Sequence, residues 1–280
     1  MVGTIVGVIF LIIAVVLFFG KKSSQSRLAQ LAGAGKQKLG ELLPILEETK
    51  ASLSDLGSDN TVEQSVTVMG MPKCAQPLMS PIGNVPCIYY RYKVTNKWTE
   101  RYQDKDSNGN TVTRTRTHED VIDQGENSAV FTLDDGTGAI EVDPHNGQFE
   151  DLHKTVDRSE TQFQNTNNGP SIQLGSLRID LGGGNMSRMG GMSSMNNRPE
   201  SVKYIEEVIG MDRNITVVGA VTDNMGKLRI ASVTKNKVII STKSADELVA
   251  NAQSSIKNKG IAMIACGVIG LVCILLGIIL

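Results

Sequence analysis

A chain of 280 residues with 28 Lys and Arg against 29 Asp and Glu carries a formal charge of −1. That balance excludes a global electrostatic case for nucleic acid or an acidic substrate. Four cysteines exclude a disulfide-dense secreted scaffold, and Cys266 and Cys273 lie in an apolar run, where they read as small packing residues.

Apolar runs occupy both ends. Residues 1–20 carry no charged side chain and as a helix reach about 30 Å, enough to cross a hydrocarbon core. A cleaved signal would place basic residues before its apolar run and a small-residue site after it. Here Lys21 and Lys22 follow the run, and Phe18-Phe19-Gly20 is a poor cleavage site; the reading is an uncleaved anchor. Residues 260–280 form a second run of spanning length, preceded by Lys257 and Lys259. Both anchors carry their positive flank toward the middle of the chain. The positive-inside rule then predicts a two-pass membrane protein with a cytoplasmic central domain and both termini on the opposite side. Gly3 and Gly7, and the row Ala262, Cys266, Gly270, offer small faces on which the two helices can pack.

Residues 21–60 read as a helical stalk. Leu28, Leu31, Leu39, Leu42, Leu43 and Leu46 make an apolar stripe interrupted by Gly33-Ala34-Gly35 and by Pro44. Residues 61–243 change texture to β. Val62, Val66 and Val68 recur at even spacing and end at Gly70. In residues 74–98, Pro77 and Pro81 impose an ordered turn, and the run after Pro86 is a strand. Along it Ile88, Tyr90 and Tyr92 share one face, with Cys87, Tyr89 and Arg91 on the other. This block is expected to be the central hairpin of a small barrel.

Residues 98–122 read as a long exposed hairpin turning at Asp106-Ser107-Asn108-Gly109. Its second arm alternates Thr111, Thr113, Thr115 and Thr117 with Val112, Arg114, Arg116 and His118. A basic arm flanked by aromatics suits phosphate, but Glu119, Asp120 and Asp123 follow at once, so a solvated strand is preferred. Residues 131–142 are a second hairpin, turning at Asp135-Gly136-Thr137-Gly138. With strands at 204–209, 215–221, 228–233 and 238–241, the expected fold is mainly β, a small barrel-like (OB-like) domain flanked by two transmembrane α-helices. Residues 155–199 are Asn-, Gly-, Ser- and Met-rich and read as a disordered insertion, broken at most by a short strand at 176–181. Residues 244–259 form a linker helix, opened by a capping box of Ser244 and Glu247.

Three blocks carry a resemblance. PLMSPIGNVPCIYYRYKV in residues 77–94, FTLDDGTGAIEVDP in 131–144 and YIEEVIGMDRNITVVGAV in 204–221 resemble signatures of the GIDE/MULAN family. The resemblance implies a "beside a membrane" (BAM) domain between two transmembrane helices. In the eukaryotic ligases of that family a zinc-binding RING follows the second helix and performs ubiquitin transfer. This sequence ends at Leu280, within the second helix, so the expected form is RING-less.

No catalytic motif stands out. Cys74 and Cys87 with His118, His145 and His153 give none of the paired spacing of a RING, though a single zinc on the two cysteines and one or two histidines is conceivable chemistry. No GxSxG, P-loop or HExxH is present. Asp134 and Asp135 read as turn residues. No cofactor is expected; the one soft-ligand set is Met186, Met189, Met192 and Met195, which suits Cu(I). The sequence therefore points to a membrane-anchored binding or scaffold module for membrane lipids or a protein partner, with no nucleic acid. The expected contacts lie on the exposed hairpin, with Trp98 and Tyr102 as anchors and Arg114 and Arg116 as polar contacts. The alternative is a component of a ubiquitin-type transferase system whose RING another protein supplies.

Overall fold

The computed structural model describes residues 2–55, 63–161, 164–166, 169–174, 177–180, 199–223, 226–233 and 236–279. The chain opens with α1 (Val2–Gly33), β1 (Gly35–Lys36), α2 (Leu39–Asp55), β2 (Glu63–Lys73), β3 (Leu78–Met79), β4 (Pro86–Lys105), β5 (Thr111–Ser128), β6 (Phe131–Asp134) and β7 (Ala139–Val142). It continues with β8 (Gln148–Glu150), β9 (His153–Glu160), β10 (Gln164–Thr166), β11 (Gly169–Leu174), β12 (Leu177–Asp180) and β13 (Pro199–Gly210). It closes with β14 (Ile215–Thr222), β15 (Arg229–Ala231), β16 (Ile239–Ser241) and α3 (Ala245–Ile279). Two compact units result. One gathers residues 1–70, 133–150 and 214–280, the other residues 71–132 and 151–213.

The first unit holds a closed five-stranded barrel. Its strands run β2-β6-β7-β15-β14, and β14 returns to pair with β2 antiparallel from Ile215↔Gly70 to Thr222↔Glu63. β1, β16 and β8 extend the sheet beyond the barrel. β14 is buried at all eight positions, which requires cover on both of its faces. Val218 finds it in the ends of the two long helices, packing with Leu31, Ala34, Leu248 and Ala252. Gly70 cannot carry a side chain, since a Cβ there would lie 2.4 Å from the Asp134 carbonyl oxygen.

α1 and α3 are each one continuous helix, with no break at residue 20 or 259, the ends expected for the anchors. The stalk instead breaks after Gly33, where the Gly-Ala-Gly run leads into β1, and α2 continues through Pro44. Two apolar stretches are long enough to cross a membrane, Ile5–Gly33 and Ala245–Gly277. They are not core helices: Ile5, Ile12, Val16, Phe19, Ile261, Ile264 and Leu271 are all exposed. The helices pack side by side where small residues permit. A Cβ on Gly7 would lie 2.5 Å from Ile274 Cγ1 and 2.7 Å from the Gly270 carbonyl oxygen. At the other end of the pair Lys259 Nζ donates to Ser24 Oγ at 2.7 Å. The capping box forms as expected: Ser244 N donates to Glu247 Oε2 at 2.9 Å, and Glu247 N to Ser244 Oγ at 3.3 Å.

The second unit is a five-stranded sheet, β3-β4-β13-β9 with β5 on the other edge of β4. β4 is therefore not a barrel strand, contrary to the expectation for residues 74–98. The proline turn folds back on its own strand, Leu78 pairing with Cys87, while β13 takes the neighbouring edge. The stretch 155–199, expected to be disordered with at most one short strand at 176–181, holds more: β9 carries this sheet into residues 155–160, and β10, β11 and β12 pair as a three-stranded antiparallel sheet. Residues 181–198, with Met186, Met189, Met192 and Met195, lie outside the described residues.

The helix crossing gives a direct test. Gly7→Leu forces α1 away from the Gly270 backbone, whereas Gly20 has open space beside it. Thermal melting in detergent is expected to show a lower Tm for Gly7→Leu and little change for Gly20→Leu.

Candidate functional site

Two constellations of the second unit stand apart, one inside its sheet and one projecting from it. The inner one begins with a residue out of place. Along β13, Val202, Tyr204, Glu206 and Val208 occupy the buried face, so Glu206 is a carboxylate in an apolar row with no exposed surface. A buried charge costs several kcal/mol unless its lone pairs are met. Four donors meet these. Ser80 Oγ and Thr155 Oγ1 each donate to Oε1 at 2.8 Å, Ile82 N to Oε2 at 2.7 Å and Gly83 N to Oε1 at 3.0 Å.

Those donors come from the proline turn and from β9, so one side chain ties the turn to two strands. Ser80 completes the closure: its Oγ accepts from Val85 N at 3.0 Å, and its carbonyl accepts from Asn84 N. Asn84 sits in the left-handed region at φ 53, where an asparagine is tolerated. Gly83 is required for a different reason, since a Cβ would lie 2.7 Å from Glu206 Oε1. Ile82, carried by this turn, packs with Val94, Val202 and Tyr204. Cys87 lies under the turn, fully buried. Burial, and then the Glu206 charge, push its thiol up to about 11, so it is a packing group and not a nucleophile. Cys87 Sγ donates to Leu78 O and Cys74 Sγ to Val130 O, and all four cysteines are free.

The outer constellation is the ribbon made by the far halves of β4 and β5. The register opposes Trp98 to His118, Glu100 to Arg116 and Tyr102 to Arg114. All six share one face of the ribbon. Trp98 and His118 stack with ring centroids 4.3 Å apart, and Trp98 Nε1 donates to Asp120 Oδ2 at 2.5 Å. Arg116 lies over the Tyr102 ring at 5.6 Å. Arg114 Nε meets Asp104 Oδ2 at 3.0 Å, and His118 Nε2 meets Glu100 Oε2 at 3.0 Å. The residues expected from sequence as contacts, Trp98, Tyr102, Arg114 and Arg116, are thus brought to one surface. The tip is a tight turn in which Asp106 Oδ1 accepts from Asn108 N and Asn110 N and Gly109 takes φ 83. These backbone bonds hold the Asp106 carboxyl below its usual range.

On the opposite face of the same sheet a cleft of about 610 Å³ is lined by Arg91, Lys93, Glu126, Lys154 and Glu207 among others. Its charges are partly cancelled: Arg91 Nε meets Glu207 Oε2 at 2.6 Å, and Tyr89 Oη donates to Glu126 at 2.7 Å. Burial and then this bond raise the Tyr89 phenol well above its ordinary value. Among the described residues no group of three or more His, Cys, Asp or Glu side chains is placed to hold a metal ion.

In the barrel unit, Asp135 is more than a turn residue. Its Oδ2 accepts from Leu39 N at 2.7 Å, and Thr137 Oγ1 accepts from Gly40 N at 3.0 Å. The Asp-Gly-Thr-Gly turn therefore caps the N-terminus of α2 from a distant part of the chain. Burial raises the Asp135 carboxyl, but the hydrogen bonds from Leu39, Thr137 and Gly138 outweigh it and hold the group below the usual carboxylate range.

Glu206 belongs to no motif, yet the sequence holds a signal for it: a charged residue at an inward position of an alternating strand demands a partner set. Glu206→Ala would strand the amides of Ile82 and Gly83, at a cost of about 3 kcal/mol. Denaturant unfolding is expected to show that loss, and to show less for Glu206→Gln, which retains an acceptor oxygen.

Comparison with known proteins places these elements. No curated protein and no solved structure matches the chain. Residues 99–276 match the GIDE family, described as E3 ubiquitin ligase. That span begins after the proline turn and Trp98, and takes in the rest of the ribbon, the barrel hairpin at 131–142, β13 with Glu206 and most of α3. It covers well over half of the sequence, and the chain belongs to the GIDE family.

Proposed function

We propose that this protein is a membrane-anchored binding or scaffold module that engages a protein partner through the Trp98–His118 ribbon, at a membrane whose lipids hold its two helices. The observation that supports this reading is the ribbon's single-faced set of Trp98, Tyr102, Arg114 and Arg116, two flat aromatic anchors beside two guanidinium groups. Aromatic and Arg side chains carry most of the binding energy at protein interfaces. No cofactor is assigned to this role.

The central domain is cytoplasmic in this proposal. Lys21, Lys22 and Arg27 flank one helix, and Lys257 and Lys259 the other, on the side of the domain. Each basic residue near an anionic leaflet adds about 1 kcal/mol of attraction. A reporter active only outside the cytoplasm, inserted after Asn108, is expected to stay silent; activity there would reverse the orientation.

A second reading rests on the family description. As a relative of E3 ubiquitin ligases, the protein would serve a ubiquitin-type transferase system in which a RING-bearing partner supplies the paired zinc ions. One experiment addresses both readings. Replacing Trp98, Tyr102, Arg114 and Arg116 by Ala removes the four contacts and leaves Glu206 and the barrel untouched. A pull-down from native membranes is expected to recover a specific partner with the intact protein and to lose it with this variant. Recovery of the same partner from both would put the binding surface elsewhere on the sheet. A partner that carries RING-type zinc ligands and conjugates ubiquitin in the eluate would establish the second reading.

A further inference from the structure

β5 is an edge strand of 18 residues. It pairs with β4 along one side, and among the described residues nothing pairs with the other. It contains no proline, and its only glycine, Gly125, is covered by the Tyr92 ring across the pair. The register skips Ile122, but from Thr111 to Val121 the edge is regular, and a regular edge of this length is a template for another strand whose charges match it.

The backbone phase can be read from the tip. Asp106 N donates to Asn110 O, so Asp106 and Asn110 form a hydrogen-bonded pair. Counting back by twos, the pairs Arg114–Tyr102, Arg116–Glu100 and His118–Trp98 also turn their backbones toward β4. Thr113, Thr115, Thr117 and Glu119 therefore point their N–H and C=O groups to the open edge.

The side chains along this edge are split by sign. Arg114 and Arg116 precede His118, and Glu119, Asp120, Asp123 and Glu126 follow it. A strand that is basic in one half and acidic in the other is complementary to itself when reversed. We infer that this edge pairs antiparallel with the same edge of a second copy of the chain, about a two-fold axis at His118, setting Arg116 opposite the second copy's Asp120. The inference goes beyond the partner-binding reading and does not rest on it.

The register follows from which charges are free. Arg114 is already held by Asp104. Arg116 lies on the Tyr102 ring, and among the described residues no carboxylate reaches it. Asp120 accepts from Trp98 on one oxygen and offers the other. An axis at Arg116 or Glu119 would set like charges face to face, which is destabilising across a strand pair. An axis at Thr117 would leave Arg116 opposite a histidine. An axis at Val121 would oppose Arg116 to Glu126 but also Glu119 to Asp123, beside the irregularity at Ile122. The His118 axis gives Arg116 a carboxylate directly opposite, twice per dimer, within the regular stretch.

The full-length protein in detergent provides the test. Light scattering is expected to give a dimer for the natural sequence and a monomer for Arg116→Asp and for Asp120→Arg. The charge-reversed double variant is expected to dimerise again, since each altered residue meets its altered partner. With Cys74, Cys266 and Cys273 replaced by Ala, single cysteines at 114, 118 and 122 report the axis by oxidative cross-linking. Position 118 is expected to cross-link about ten times faster than the others, because only there do the two copies bring their Cα atoms within disulfide range. A monomeric natural protein, a dimer that survives Arg116→Asp, or equal cross-linking at all three positions overturns the inference.

Discussion

One buried carboxylate, with no cationic partner among the described residues, ties the proline turn of the second unit to its sheet. Glu206 lies in an apolar row with no exposed surface and is met by two hydroxyls and two backbone amides. Such charge-assisted bonds are about twice as strong as neutral ones, and removing any acceptor leaves a buried donor unpaired. The arrangement converts a turn that would otherwise be a surface loop into part of the core. It brings Ile82 onto Val94, Val202 and Tyr204, and it buries Cys87 beneath the turn. β4 is thereby fixed at its start by the turn and along its length by β13. The ribbon is the continuation of that same strand, so its orientation within the unit is inherited from the Glu206 lock.

The barrel unit uses a different device. Its strands close on themselves, and the ends of the two long apolar helices are built into its cover through Leu31, Ala34, Leu248 and Ala252. No flexible linker separates helix from barrel on either side, because α1 reaches Gly33 and α3 begins at Ala245. Polar clasps reinforce the join. Arg27 pairs with Glu150, Gln30 Nε2 donates to the Lys237 carbonyl, and Lys36 Nζ meets Asp246. The exposed Lys36 pair contributes little by itself; apolar burial at the helix ends stabilises the join more. A barrel coupled this way is fixed in its tilt relative to its own helices.

The sequence made much of this legible. Uncharged runs of spanning length, the even spacing of Val66 and Val68, and the Asn-Gly and Asp-Gly turns are local signals, and each sits in the expected element. The Ser244–Glu247 box is likewise local. Alternation set Arg114 and Arg116 on one side of the second arm; that Trp98 and Tyr102 share that face follows only from the pairing register of the folded hairpin. What remained hidden was non-local. Whether β4 closes a barrel or joins a separate sheet depends on which strand takes its second edge, and β13 lies far downstream in the chain. The cap that Asp135 places on α2 joins two stretches nearly as distant. Glu206 was visible only as an anomaly of pattern, and the donors that satisfy it come from two other places in the sequence.

That the Glu206 lock makes the proline turn part of the core is most directly tested by native-state hydrogen exchange of the turn's amides. If the lock holds, Ile82 and Gly83 will exchange as slowly as Val94 and Tyr204 in the paired strands, because all open only with the unit. Exchange of Ile82 and Gly83 as fast as that of Gly109 at the exposed tip would contradict it.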